Sequence, residues 1–341
     1  MKVLITGVNG YIGTQMAQVL KKHGHDVSGL DANFYTEGWL YGNPEEYTID
    51  VIKKDTRKIT FDDVKGFDAI IHLADLSNDP LGQQDKSLTY EINFDATVNL
   101  ANLAKAAGVK RFIYSSSCSA YGIATEDMVS EESIVNPQTA YAECKVKVEN
   151  ELMTMADENF SPTMMRNATV YGASPRMRFD LVVNNLSGLA WTTNEIKMTS
   201  DGTPWRPLVH ILDVCEAFAQ VLEAPRETIH KQILNVGSSN GNYTIKQVAE
   251  IIAKVFVGCT VSFGNSDGDT RSYKVSFDKI TNVLPNYQAK RTVEDGAKEL
   301  KEVFEQIKMS KDDFAFRAFT RLKEIQYLQE TNQIDNKFFW I

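Results

Sequence analysis

Lys2-Val3-Leu4-Ile5-Thr6-Gly7-Val8-Asn9-Gly10-Tyr11-Ile12-Gly13 opens the chain and decides its fold. Lys2 to Thr6 is a short, nearly continuous apolar run, the pattern of a strand buried on both faces of a parallel sheet. From Tyr11 to His23 the residues Ile12, Met16, Val19 and Leu20 share one side of a helix, which Gly24 closes. A glycine pattern alone says little, but here it joins a buried strand to a helix, and that context points to a dinucleotide. Gly7 permits the tight turn. Gly10 lets the backbone approach a pyrophosphate, which the helix N-terminus favours electrostatically. Gly13 allows the helix to lie close to the strand.

Asp26 to Asp31 reads as the second strand, ending in an acid eighteen residues after Gly13. A carboxylate there accepts hydrogen bonds from an adenosine ribose diol and repels a 2′-phosphate. Ala32, Asn33 and Phe34 supply no arginine to compensate, so NAD is expected over NADP. Asn9, Tyr11, Ile12 and Asn33 are assigned to the cofactor along with the glycines and Asp31.

Outward from this unit the alternation continues. Asp68–Ala74 and Arg111–Ser115 read as further strands, with a helix from about Tyr90 to Ala107 between them. Strand and helix alternating in this way give an α/β, doubly wound parallel sheet. The second half has helical stretches near Gln138–Asn159, Phe179–Leu189, Leu212–Leu222 and Thr244–Phe256, with short strands between them. It reads as a smaller α/β lobe. The expected division is 1–170 for the cofactor domain, with returning segments near 205–238, and 171–341 for the substrate lobe and tail. The tail carries an amphipathic helix with Phe319, Leu322, Ile325 and Leu328. It ends in Phe338-Phe339-Trp340, which is expected to dock on its own protein or a sister subunit.

Composition narrows the classes. The 341 residues are 43% hydrophobic and 24% charged, which excludes low-complexity and disulfide-scaffold chains. The net charge of −9, with no Lys/Arg run longer than two, gives no footprint for nucleic acid. Cys118, Cys144, Cys215 and Cys259 stand far apart without a CxxC pair, so they read as reduced thiols and no metal site is expected. No apolar run approaches the ~20 residues of a membrane span, and the start lacks a signal-peptide pattern, so a cytoplasmic location is expected.

Tyr141-Ala142-Glu143-Cys144-Lys145 puts a phenol and an ammonium four apart, on one face of a helix. A tyrosine of ordinary pKa near ~10 is a poor base at neutral pH. A neighbouring ammonium and an oxidised nicotinamide ring both stabilise the phenolate. Lowering the pKa by about 3 units takes about 4 kcal/mol, which two cations in a cleft can supply. Ser115-Ser116-Ser117-Cys118-Ser119-Ala120-Tyr121-Gly122 leaves the carboxyl end of a strand, where such sheets bind ligands. A serine there can hold the substrate hydroxyl that Tyr141 deprotonates.

TGVNGYIG, HLAD, SSSCSAYG, YAECK and NVGSS, in this order and spacing, resemble the extended short-chain dehydrogenase/reductases. Within them the chain is similar to the NAD-dependent nucleotide-sugar epimerase/dehydratase group, over roughly residues 1 to 305. The resemblance implies a Rossmann-type domain with a smaller C-terminal α/β lobe, a cleft between them, and a homodimer. It implies Ser117 as catalytic serine, Tyr141 as acid/base, and Lys145 as the residue that holds the nicotinamide ribose and tunes Tyr141. It also implies Asp55 and Thr56 near the adenine, Leu73 and Ala74 along the cofactor, and Asn93 behind them. Ser115 and Asp75 are placed beside the cofactor too. Arg206, in Gly202-Thr203-Pro204-Trp205-Arg206, and Arg271, in Asp269-Thr270-Arg271-Ser272-Tyr273, resemble the group's two diphosphate arginines, whose forked donors suit phosphate. Arg178, Ser117, Cys118, Ser119 and Thr169 complete the expected substrate contacts.

Three departures refine the expectation. The group's dehydratases carry Thr-Asp-Glu where this chain has Ser117-Cys118-Ser119, so 4,6-dehydration lacks its acid and base. Asp75 replaces a small residue, either narrowing the nicotinamide pocket or binding a substrate hydroxyl. Arg166-Asn167-Ala168-Thr169 departs from Arg-Tyr-Phe-Asn, with Thr169 in place of an asparagine. Cys118 reads as a packed residue rather than an acid/base. The expected function is epimerisation of a nucleotide-diphosphate sugar at C4 through a 4-keto sugar. The alternatives are a 4-keto reductase or 4-dehydrogenase with the same residues, a 4,6-dehydratase, and a non-catalytic NAD sensor.

Overall fold

The computed structural model describes residues 1–77, 82, 85–123, 126–265 and 271–341. Its strands are β1 (Lys2–Thr6), β2 (Asp26–Asp31), β3 (Asp50–Lys53), β4 (Ala69–His72), β5 (Arg111–Ser117), β6 (Ser161–Asn167), β7 (Thr169–Tyr171), β8 (Glu195–Lys197), β9 (Trp205–His210), β10 (Ile233–Val236), β11 (Asn242–Thr244) and β12 (Thr260–Ser262). The longer helices are α1 (Tyr11–Lys22), α2 (Ala96–Ala106), α3 (Ala140–Met155), α4 (Val182–Thr193), α5 (Ile211–Glu223), α6 (Ile245–Val255), α7 (Val293–Ile307) and α8 (Arg321–Glu330).

Seven strands form one sheet in the order β10-β6-β5-β4-β1-β2-β3, every neighbouring pair parallel. The apolar run at the start of the chain lies near the middle. Val3 pairs with Val27 on one side and Ala69 on the other, and Val3, Leu4 and Ile5 are fully buried. Strand order reverses between β1 and β4. The loops leaving their carboxyl ends therefore diverge and open a crevice, the usual ligand position in such sheets.

Several boundaries differ from the sequence reading, for local reasons. The strand read as Asp68–Ala74 ends at His72, so Leu73, Ala74 and Asp75 leave the sheet and enter the crevice. The helix read from Tyr90 begins at Lys86 and passes through a π-helical turn, Glu91–Asp95, before α2. Strands β3, β7, β9 and β11 are three to six residues long and too brief to show a period.

The second lobe holds a three-stranded sheet, β11-β9-β7, and the pair β12-β8. Helices α4, α6 and α7 pack together against them. The chain returns to the first lobe through α5, which packs on α1, and through β10 at the sheet edge, while β9 stays with the small sheet. Helix α8 closes a third apolar cluster through Ile325 and Leu328, against Leu76, Leu88 and Ile92. The tail folds back onto its own chain. The Trp340 indole N–H donates to the Ala32 carbonyl at 2.6 Å, and its ring stacks on Phe34 at 5.8 Å. Among the described residues no helix is long and apolar enough to cross a membrane.

Candidate active site

A cavity of about 780 Å³ runs along the crevice between the lobes. The glycine loop forms one wall. Gly7 has φ +74°, and a Cβ there would lie 2.9 Å from the Ala74 nitrogen; a Cβ on Gly13 would lie 2.2 Å from the Gly7 carbonyl oxygen. A side chain at Gly7 would push the loop off the Leu73–Ala74 backbone, and one at Gly13 would push the helix off the turn. Asp31 lines the cavity at the end of β2 and accepts backbone N–H bonds from Asn9 at 2.9 Å and Asn33 at 2.7 Å. Burial pushes its pKa up, against the pull of those two donors. An adenosine ribose diol would supply the donors a buried carboxylate seeks, so these residues fit a dinucleotide.

The cavity floor is built by α3. Thr139 caps it, its hydroxyl accepting from the Ala142 N–H at 3.3 Å. Tyr141 and Lys145 sit one turn apart on the cavity face, with the Lys145 ammonium 5.2 Å from the centre of the Tyr141 ring and 4.5 Å from that of Tyr114. The ammonium donates to the Asp75 carboxylate and to the Ser115 carbonyl. Both side chains of this ion pair are 2% exposed, so solvent barely screens it. Burial pushes Asp75 up to about 6, with Lys145 pulling the other way. Burial also pulls Lys145 down, but Asp75 and Tyr141 outweigh it and the net shift is upward. The second oxygen of Asp75, Oδ1, is buried without a hydrogen-bond partner.

Alternation along β5 sorts its serines. Ser115, Ser116 and Ser117 all border the cavity, and the Ser117 hydroxyl accepts from the Ser119 N–H at 3.1 Å. The Ser116 hydroxyl donates to Glu149 at 2.5 Å, in a buried network behind the floor. Glu149 receives both Nε and Nη2 of Arg166, at 2.9 and 2.7 Å, and Arg166 also donates to the Tyr121 hydroxyl at 3.1 Å. The Cys118 thiol donates to the Arg166 carbonyl at 3.2 Å, and burial pushes its pKa up. It is a packed thiol tied to that network. Ser119 lies on the wall with its hydroxyl buried and unpartnered, and Asn167, which sequence reasoning passed over, joins the wall with its Oδ1 in the same state.

At the substrate end, Thr169, Arg206 and Arg271 line the cavity, and Arg206 donates to the Arg271 carbonyl. Asp269 and Thr270 of that motif lie outside the described residues. Arg178 lines the cavity further along, clamped on Asp180 at 2.9 and 3.1 Å and donating to the Ser77 hydroxyl at 3.1 Å.

The other residues expected at the cofactor divide between the cavity wall and its supports. Asn9 and Asn33 bond each other at 2.8 Å and hold Asp31. Ile12, Thr56, Leu73 and Ala74 line the wall. Asp55 lines it too, paired with Arg57 at 2.6 Å. Asn93, in the π turn, is fully buried and bonds both backbone groups of Leu76, at 2.8 and 3.3 Å, so it supports the wall from behind. The Tyr11 phenol is turned into the second lobe and donates to the Gly172 carbonyl at 2.7 Å. Two arginines approach Asp31 that its own loop does not supply, Arg176 and Arg321. No local pattern flags them, because they arrive from distant segments.

With this geometry in place, similarity to known proteins can be read. The profile of the NAD dependent epimerase/dehydratase family matches residues 3–237. The UDP-glucose 4-epimerase of Corynebacterium glutamicum is 29% identical over 272 residues, 75% of this chain and 80% of that protein. The UDP-glucuronate 4-epimerase of Thermodesulfobacterium geofontis is 26% identical over 311 residues, 86% and 93% of the two chains. An NAD-dependent NDP-hexosamine 5,6-dehydratase, TunA, superposes with a TM-score of 0.79 at 22% identity, over 89% of this chain and 98% of the other.

Proposed function

We propose, from the premise that this chain belongs to the NAD dependent epimerase/dehydratase family, that it is an epimerase acting at C4 of a nucleotide-diphosphate sugar. Its relatives include the UDP-glucose and UDP-glucuronate 4-epimerases described above, and UDP-sugars are the substrates to try first. The observation that carries the reading is the Lys145 ammonium fixed 5.2 Å from the Tyr141 ring on the cavity floor, with Ser117 on the same wall.

Each side chain has a defined task. Ser117 hydrogen-bonds the sugar oxygen and aligns it with Tyr141. Tyr141 takes the hydroxyl proton as C4 is oxidised, and the Lys145 ammonium stabilises the phenolate. NAD, held by the glycine loop, Asp31 and the Leu73–Asp75 wall, supplies a reversible hydride acceptor when bound. After the 4-keto sugar turns over in the cavity, Tyr141 returns the proton as C4 is reduced from its other face. Arg206 and Arg271 anchor the diphosphate through this turn. Cys118 and Ser119 provide no carboxylate pair for water elimination beside C5 and C6, which favours epimerisation over 4,6-dehydration.

The test incubates the purified protein with UDP-glucose, UDP-glucuronate and their N-acetylated analogues in deuterated water, followed by NMR and NADH absorbance. Appearance of the C4 epimer without net NADH and without deuterium in the sugar supports the reading. Stoichiometric NADH turnover replaces it with a 4-dehydrogenase or 4-keto reductase. Deuterium at C3 or C5 replaces it with an enolising route.

A further inference from the structure

Helix α8 begins beyond the part of the chain that the family profile matches, yet its first residue reaches the cofactor end of the cavity. Arg321 is only 5% exposed. Its guanidinium carbon lies over the Tyr35 ring, 3.9 Å from the ring centre. Among the described residues it makes no hydrogen bond, and no carboxylate lies within 4.0 Å. A buried cation normally has a partner, because removal from water costs several kcal/mol when nothing replaces the hydration shell.

The neighbourhood does not provide that partner. Asp180 is clamped by Arg178, and Asp31 is held by the N–H groups of Asn9 and Asn33. Arg176 donates to the Tyr35 and Gly38 carbonyls, at 3.2 and 3.0 Å. Glu324, one turn further along α8, lies 3.3 Å from Arg317 Nε, and Arg176 keeps its Nε buried without a partner. Among the described residues the guanidinium of Arg321 therefore borders the cavity with its donors unused. Burial and the like charge of Arg178 lower Arg321 to about 10, so it remains cationic at neutral pH. Arg321 lines the same cavity as Asp31, Arg178 and the Gly10–Tyr11 turn that opens α1. This is the stretch between the ribose acceptor and the helix N-terminus, where a dinucleotide carries its negative charge.

We propose that Arg321 is a cofactor-binding residue whose forked donors hold the diphosphate of the dinucleotide, so that the C-terminal segment completes the NAD site. The proposal rests on NAD occupying this cavity, as the family assignment has it. Arginine suits the task because two parallel N–H donors match two phosphate oxygens.

The test titrates the nucleotide-free full-length protein with NAD, NADP, UDP and adenosine by calorimetry, for wild type and Arg321→Met. The expected result is a rise of at least about tenfold in the Kd for NAD in the variant, with adenosine and UDP unchanged and Arg321→Lys intermediate. Equal NAD affinity in wild type and variant overturns the proposal, as does an equal loss for adenosine, which would make Arg321 a packing partner of Tyr35. A wild type that prefers NADP, with the preference lost in the variant, overturns it in favour of a 2′-phosphate contact. A loss confined to UDP overturns it in favour of the substrate diphosphate. Wild type that binds no dinucleotide overturns the cofactor reading itself, a result distinct from these. Should Arg321→Met fail to fold, Arg321→Lys carries the same comparison, since it keeps charge and stem but lacks the fork.

Discussion

The two ends of the cavity treat buried charge in opposite ways. At the floor, Lys145 is fastened to Asp75 and the Ser115 carbonyl and wedged between two tyrosine rings, so its charge is balanced inside the protein. At the other end, Arg321 is nearly as enclosed, but among the described residues its guanidinium sits over Tyr35 and makes no hydrogen bond. A group that must present a constant potential to a reacting phenol benefits from permanent partners. A group that must capture an anion keeps its donors for that anion. On the proposed reading, the contrast separates a residue that sets reactivity from one that holds a ligand.

The contrast can be attacked first at the floor. Tyr141→Phe should lower kcat by about 10²–10⁴-fold while leaving the Kd for NAD unchanged, because it removes the proton carrier and nothing at the far end. Near-wild-type turnover would move the reacting centre elsewhere. The support beneath the floor comes next. Arg166→Met leaves Glu149 buried and unpaired, and should cost about 3–5 kcal/mol in urea unfolding. A loss under about 1 kcal/mol would mean that the network does not hold the Ser117–Tyr121 turn.

Asp75→Asn sharpens the comparison by making the floor resemble the far end. Burial lowers Lys145 and the Asp75 carboxylate raises it, so removing that charge lets the ammonium lose its proton at lower pH. The basic limb of the kcat/KM profile should move down in pH. An unmoved limb would show that the ion pair does not govern catalysis. The smallest effect is expected at the tail. Trp340→Ala removes a ring stacked on Phe34 and a bond to the Ala32 carbonyl, and should lower stability by about 1 kcal/mol in thermal melts, with kcat at saturating NAD retained.

Legibility in the sequence followed chain distance. The glycine loop, β1, β2 and Asp31 could be read because each depends on neighbours within one turn or one strand. Tyr141 and Lys145 could be read because helical spacing puts them on one face. The partner of Lys145 could not, since Asp75 is brought to it by the early end of β4 at His72. Asn93 is expected behind the wall, but which backbone it would brace, the Leu76 N–H and carbonyl, depends on the π turn and could not be read. Tyr11 lines the cavity as the loop pattern suggests, but the bond by which its hydroxyl ties the first lobe to Gly172 in the second could not be read from neighbours. The loop after β2 shows no arginine, but folding carries Arg321 there from nearly the far end of the chain. Such encounters depend on tertiary packing, which periodicity does not encode.

The backward fold of the tail has a consequence for how the molecule is made. The loop after β2 that receives Trp340 is synthesised 308 residues ahead of that indole. The sheet, complete at β10, can therefore assemble before the Trp340 indole reaches the Ala32 carbonyl and the Phe34 ring, so the loop after β2 is covered only late in synthesis.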